Sequence, residues 1–244
     1  MRKFLSLIIS LSLCPWADAA LGQDGSVHKN VTTGSSTTLT LTTSNANDII
    51  VMVATINDSA TGPSVSSITS SNTTGWARRT SANVTAIPQE SIDIWYGTAA
   101  NALSSEVITV NWSGTVTFVT IDIFGISGAD TTTKSDSNAS CPVSNSTLNT
   151  DSTISTSNAN DFIIGAYRFS GTANPTQGSG WTKISGANFQ LAEYKIVSAT
   201  QSSLDITIGT GNADNNGGVA DAIIQAGGAS SGFNKFMRLE RLNE

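Results

Sequence analysis

The sequence predicts an all-β protein of two tandem β-sandwich or jelly-roll-like units, and three observations predict it. The stretch Thr43-Ser44-Asn45-Ala46-Asn47-Asp48-Ile49-Ile50 returns as Thr156-Ser157-Asn158-Ala159-Asn160-Asp161-Phe162-Ile163-Ile164. The residues after each copy correspond too, so the chain reads as an internal repeat of about one hundred residues. Second, the apolar residues fall in short Thr-, Val- and Ile-rich runs that suit pleated surfaces, and no run inside either unit has helical three-four spacing. Third, only 12% of residues are charged while 39% are hydrophobic, enough apolar material for a core.

Met1 to Ala19 reads as a secretory signal peptide. Arg2 and Lys3 form a charged start, Phe4 to Leu13 an apolar run too short to span a bilayer, and Ala17-Asp18-Ala19 a small-x-small cleavage pattern. Cleavage there moves the formal charge from −6 to −7. A retained N-terminus would instead serve as a hydrophobic docking peg in an assembly. Residues 20–36 are Gly-, Ser- and Thr-rich and read as an extended segment.

The first unit covers residues 37–128. Thr37 to Thr42 alternates Thr with Leu39 and Leu41, a strand with one apolar face. Asn45 to Asp48 is turn chemistry, because Asn and Asp tolerate left-handed backbone and bond their own main chain. Ile49 to Ile56 is almost continuously apolar, as a strand buried on both faces would be. A short strand at Val65 to Ile68 precedes the Gly75-Trp76 loop. Strands then follow at Ile92 to Tyr96, Ile108 to Trp112 and Val116 to Ile126.

Residues 129–150 lack periodicity and read as a linker. The second unit, 151–228, repeats the order: Asp161 to Phe169, the Trp181 loop, Gln190 to Val197, Leu204 to Ile208 and Val219 to Ala226. The offset between copies falls from 113 at the Asn-Ala-Asn-Asp motif to 98 at Tyr96/Tyr194. Loops have therefore changed length around a retained strand order. In the tail, 229–244, Phe236, Leu239 and Leu242 share one face of a short helix that would cap the sandwich or dock on a partner.

Composition bounds the function. A net charge of −6 argues against nucleic-acid phosphates and anionic lipid as partners. Removal of Cys14 leaves Cys141 alone, so the mature chain has no internal disulfide and relies on its core. Sequons such as Asn83-Val84-Thr85 arise by chance in a chain this rich in Asn, Ser and Thr.

Several constellations bear on chemistry. The single histidine, His28, lies outside both repeats, and no Gly-x-Ser-x-Gly elbow is present, which disfavours a Ser/His hydrolase. Glu90, Asp93, Glu106, Glu193, Asp205 and Asp221 could pair for glycoside cleavage. Most sit at alternating strand positions expected to face solvent and read as outward polar residues. Asn212, Asp214 and Asn216, with Gly217 at the sixth place, partly match the oxygen-ligand rhythm of a calcium loop. No Glu closes that loop, and a plain Asn/Gly connection has the same composition. Trp95 and Trp112, which lack counterparts in the second unit, read first as core or sheet-face packing, with an exposed sugar platform as the alternative. Asp48 and Asp161 read as turn residues that set strand entry and register.

The order Asn-Asp-Ile-Ile, Gly-Trp, then Trp95-Tyr96 or Tyr194-Lys195, then Ile-Thr-Val/Ile resembles duplicated β-sandwich modules of phage tail and virion-surface proteins and of secreted bacterial surface proteins. The closest parts are Gly180-Trp181-Thr182-Lys183-Ile184 and Ala192-Glu193-Tyr194-Lys195-Ile196. The resemblance implies a sandwich fold and an extracellular or particle-surface role, and it carries no catalytic residues.

The expected function is a non-enzymatic structural or adhesive subunit of a filament, surface layer or virion appendage. It would associate with itself, with neighbouring subunits or with a cell-surface glycan. No cofactor is expected beyond calcium at the loop above. If the subunit polymerises, Thr37 to Thr42 or the segment before it is the expected donated strand. The alternatives are a secreted carbohydrate-binding module and a carbohydrate-active enzyme.

Overall fold

Ile49 to Ile56, the run read as buried on both faces, is the middle of the architecture. The computed structural model describes residues 19–227 apart from 58–62, 84–89, 147–151, 170–173, 188 and 210–214. The signal peptide, the 233–243 helix and calcium candidates Asn212 and Asp214 lie outside the described residues, as does the side chain of Asn216.

Eight strands form the first half: β1 (Gly22–Val31), β2 (Gly34–Leu41), β3 (Asp48–Asn57), β4 (Val65–Thr69), β5 (Thr73–Asn83), β6 (Glu90–Ala99), β7 (Glu106–Val116) and β8 (Phe118–Ser127). Seven form the second: β9 (Val143–Asn145), β10 (Ser152–Ile154), β11 (Asn160–Phe169), β12 (Thr182–Ala187), β13 (Gln190–Ser198), β14 (Leu204–Ile206) and β15 (Asn215–Ile224). All pairings between them are antiparallel. No helix occurs among the described residues, so none there is long and apolar enough to cross a membrane.

Each half is a large sheet against a small one. The large sheets run β1-β8-β3-β6-β5 and β9-β15-β11-β13-β12; the small ones run β2-β7-β4 and β10-β14. Strand order is therefore the same in both halves. In the second, the place of β4 is taken by a loop that touches β14's continuation through one bridge, Gln177 to Ile208. Register agrees as well: Val51, three residues after Asp48, pairs with Tyr96, and Ile164, three after Asp161, pairs with Tyr194.

Three apolar cores stack through the body formed by Ala19–Ala226. In the first, Ile50, Met52 and Ile56 of β3 meet Leu39, Ile108 and Val110 of the small sheet. In the third, Ile163, Tyr167 and Phe169 of β11 meet Ile154 and Ile206. The middle core joins the halves: Ile49, Val51 and Val53 of β3 pack with Phe162, Ile164 and Ala166 of β11. The result is four layers, small-large-large-small. The two large sheets are covered on both faces, which is why β3 is apolar throughout although its sheet is antiparallel.

The same stacking bears on three expectations. The extended segment 20–36 is largely β1, an edge strand of the first large sheet that pairs with β8 from Gly22 to Val31. Segment Thr37 to Thr42 lies mostly in β2, an edge strand paired with β7 within its own chain. Carboxylates expected to face solvent are instead buried: Glu90, Asp93, Glu106, Glu193 and Asp221 are all under a tenth exposed, and Asp205 alone of the six is exposed. Strand alternation marks two faces, but it does not say that the second face meets another sheet.

Candidate functional site

The repeated polar motif builds the same carboxyl pair in both halves. Gly25 takes a left-handed φ of 70° at a bulge in β1, where a Cβ would lie 2.1 Å from the Thr42 carbonyl oxygen. This close approach brings Asp24 onto the turn. Its carboxylate accepts bonds from the Ser44 amide at 2.9 Å, the Asn45 amide at 2.7 Å and Asn45 Nδ2 at 2.9 Å. In the second half Asp136 accepts from the Ser157 amide at 2.9 Å, the Asn158 amide at 2.7 Å and Asn158 Nδ2 at 2.8 Å. Burial opposes the charge on Asp24 and Asp136, but the amides outweigh it and both are held below the usual carboxylate range.

Behind each turn lies a second carboxyl. Asp48 and Asp161 are fully buried, and none of their four oxygens receives a hydrogen bond. Burial, then the nearby charge of Asp24, pushes Asp48 up to about 7; burial, then Asp136, does the same to Asp161. A protonated Asp48 has a donor to offer Asp24. Each half therefore holds one carboxylate that the turn keeps ionised and one carboxyl whose protonated form the interior favours. Asp48 opens β3 and Asp161 is the second residue of β11, as the turn chemistry before each apolar run predicts, but their titration is visible only once burial is known.

A different set of polar groups joins the halves. Arg79 on β5 donates to Asp221 on β15 through Nε to Oδ2 at 2.7 Å and Nη2 to Oδ1 at 3.2 Å, and its Nη2 also reaches the Cys141 carbonyl at 3.2 Å. Tyr96 Oη on β6 donates to Asp221 Oδ2 at 2.8 Å. Arg168 on β11 donates to Glu90 on β6 at 2.9 Å and stacks over Phe189. Gln190 on β13 donates to Asp122 on β8, whose other oxygen is 2.7 Å from His28 Nδ1 on β1. These partners come from opposite halves and no sequence spacing connects them.

The remaining buried carboxylates hold loops. Glu106 accepts from the Ser71 and Asn72 amides at 2.6 and 2.7 Å, Asp93 from the Val65 amide at 3.1 Å, and Glu193 from the Gly178 amide at 2.9 Å. No group of three or more His, Cys, Asp or Glu side chains that could hold a metal occurs among the described residues.

Of the two readings of Trp95 and Trp112, core packing is the one that holds. Trp95 and Trp112 are 8% and 5% exposed and belong to the first core, because both stand on the faces where the large and small sheets meet. The indole that reaches the surface is Trp76, which lines a cavity of about 420 Å³ with Thr69, Ser70, Thr73, Thr74 and Gly75. By sequence alone Trp76 and Trp181 are equivalent, each following a Gly at the same place in its unit. They differ because Trp76 rests against Gly97, whereas Lys195 at the matching register position stands over Trp181, its Nζ 6.0 Å from the ring.

Cys141 is half-buried, and its Sγ donates to the Ser155 carbonyl oxygen at 3.3 Å. Burial, then the charges of Asp221 and Asp136, pushes its thiol up to about 12. The thiolate is the reactive species, so in a Cys14→Ser background Cys141 is expected to react with Ellman's reagent at pH 8 about a hundredfold or more slowly until denaturant is added. Equal rates before and after unfolding would contradict this environment.

Comparison with known proteins finds no matching family model, curated protein or solved structure.

Proposed function

We propose that the protein is a non-catalytic structural or adhesive subunit acting at an extracellular or particle surface, built from two copies of one ancestral sandwich. The observation that carries this reading is the use made of its ionisable groups. Asp221, Glu90 and Asp122 tie one half to the other, while Asp24, Asp136, Glu106 and Glu193 hold loop amides. Chemistry that an enzyme would direct at a substrate is here directed at holding four layers in register. The low charge and abundant Ser, Thr and Asn suit a surface that packs against neutral partners.

The test is electron microscopy and light scattering of the purified chain lacking residues 1–19. Ordered filaments, sheets or closed rings are expected as concentration rises. A particle that stays monomeric at the highest soluble concentration would overturn the self-associating reading. Deleting residues 20–36 is expected to collapse the first sandwich, since β1 forms the edge of its large sheet.

A further inference from the structure

We propose that the Trp76 cavity is a binding site for a neutral sugar of the hexose class. Its floor and walls come from the end of β4, the loop joining β4 to β5 and the first residues of β5. The volume of about 420 Å³ lies toward the lower end of the range of small-molecule sites, about 300–1,000 Å³, and suits one sugar ring.

Four features set the chemistry. The indole is oriented, because Trp76 Nε1 donates to Ser70 Oγ at 3.0 Å and Ser70 Oγ donates to the Thr73 carbonyl oxygen at 2.9 Å. Its position depends on Gly97, where a Cβ would come within 2.8 Å of Cδ2 and 2.9 Å of Cε2. The loop behind it is rigid, since Glu106 takes the amides of Ser71 and Asn72 and the Asn72 side chain. And the lining is uncharged: Ile68 and the Trp76 indole form its apolar part, and the exposed Thr69 and Thr74 supply hydroxyls beside them, with Ser70 and Thr73 completing the wall.

An apolar ring face beside several hydroxyls matches a pyranose, which presents C–H groups on one face and hydroxyls around its rim. A charged ligand would find no counter-ion in this lining. Gly75 leaves the entrance open, with no atom within 4 Å of the place its Cβ would occupy. The second half supplies an internal contrast. Its cavity of about 370 Å³, between Thr176, Gln177, Ser179, Thr207, Ile208 and Gly209, has no aromatic wall. There Trp181 is only 6% exposed and lies under Lys195.

The site gives the adhesive part of the proposed function its ligand class and rests on that reading's extracellular placement. Saturation-transfer NMR on the purified chain, with glucose, galactose, mannose and N-acetylglucosamine as probes and glucuronate as the charged control, tests it. Saturable binding of at least one neutral hexose is expected, with weaker binding of glucuronate. Trp76→Ala is expected to weaken binding at least about tenfold, and Gly97→Ala to weaken it by displacing the indole. Thr74→Val, at the exposed rim, keeps the test decisive if either variant fails to fold. No saturable binding of any of the four sugars overturns the site, as does binding unchanged in both Trp76→Ala and Thr74→Val. A monomer that binds hexose refutes self-association but not the site; an assembly that binds none refutes the site alone.

Discussion

Replacing Asp221 with Ala is expected to destabilise the protein by about 3–5 kcal/mol, the cost of breaking a buried ion pair by removing one partner. Asp221 is fully buried on β15, and the groups that satisfy it, Arg79 and Tyr96, come from β5 and β6 of the other half. Truncation leaves the Tyr96 hydroxyl unpaired in the middle core and the partly exposed Arg79 guanidinium without its carboxylate. The same carboxylate, through its bond to Arg79, outweighs the burial that disfavours the guanidinium's charge and holds the Arg79 pKa above its ordinary value. Arg79→Ala strands Asp221 instead and is expected to cost a similar amount. The double variant should cost less than the sum, because the two changes remove one shared interaction. Urea unfolding measures all three, with the exposed Asp205→Ala as a control expected within about 0.5 kcal/mol of the parent. A loss below about 1 kcal/mol for Asp221→Ala would show that this ion pair contributes little to joining the halves.

Stability is expected to peak in mild acid and fall as pH rises toward 8. Asp48 and Asp161 have folded-state pKa values near 7, above the ordinary 3.8, so folding favours their protonated forms. Their contribution is complete below about 4 and is lost as pH rises through 7. At 1.36 kcal/mol per pKa unit, a shift of this size is worth on the order of 4 kcal/mol per carboxyl. His28 acts in the same direction. The Asp122 carboxylate beside it raises its pKa above 6.5, and this contribution too is lost as pH rises through the folded value. Asp24, Asp136 and Glu106 act oppositely: their lowered values stabilise the fold above the ordinary carboxylate range and are lost on acidification through the folded values. Melting temperature measured from pH 3 to 9 should therefore show a maximum near pH 4–5. Asp48→Asn and Asp161→Asn should flatten the fall between pH 5 and 8. A profile that rises steadily to pH 8 in the parent chain would contradict protonated carboxyls behind the turns.

What was legible in the sequence is what local patterning controls. Alternation in Thr37 to Thr42 and in Ile108 to Trp112, and the unbroken apolar run after Asp48, mark strands because side chains alternate across a pleat and a run without alternation needs cover on both sides. The two Asn-Ala-Asn-Asp motifs mark strand entry, and Asn47 does adopt a left-handed φ of 60°. Matching motifs in matching order were enough to anticipate two sandwiches with one strand order.

Only the tertiary structure decided what covers the second face of each large sheet. Stacking them face to face placed Tyr96 against Asp221 and buried carboxylates that strand alternation alone would turn to solvent. It put Trp95 and Trp112 inside and left Trp76 at the surface, a distinction set by Gly97 in one half and Lys195 in the other. Sequence by itself determines which residues share a face of a strand, because that depends on neighbours along the chain. Which face meets water depends on surfaces more than a hundred residues apart, and the charge state of Asp48, Asp161 and Cys141 depends on that burial and on the carboxylates the fold brings beside them.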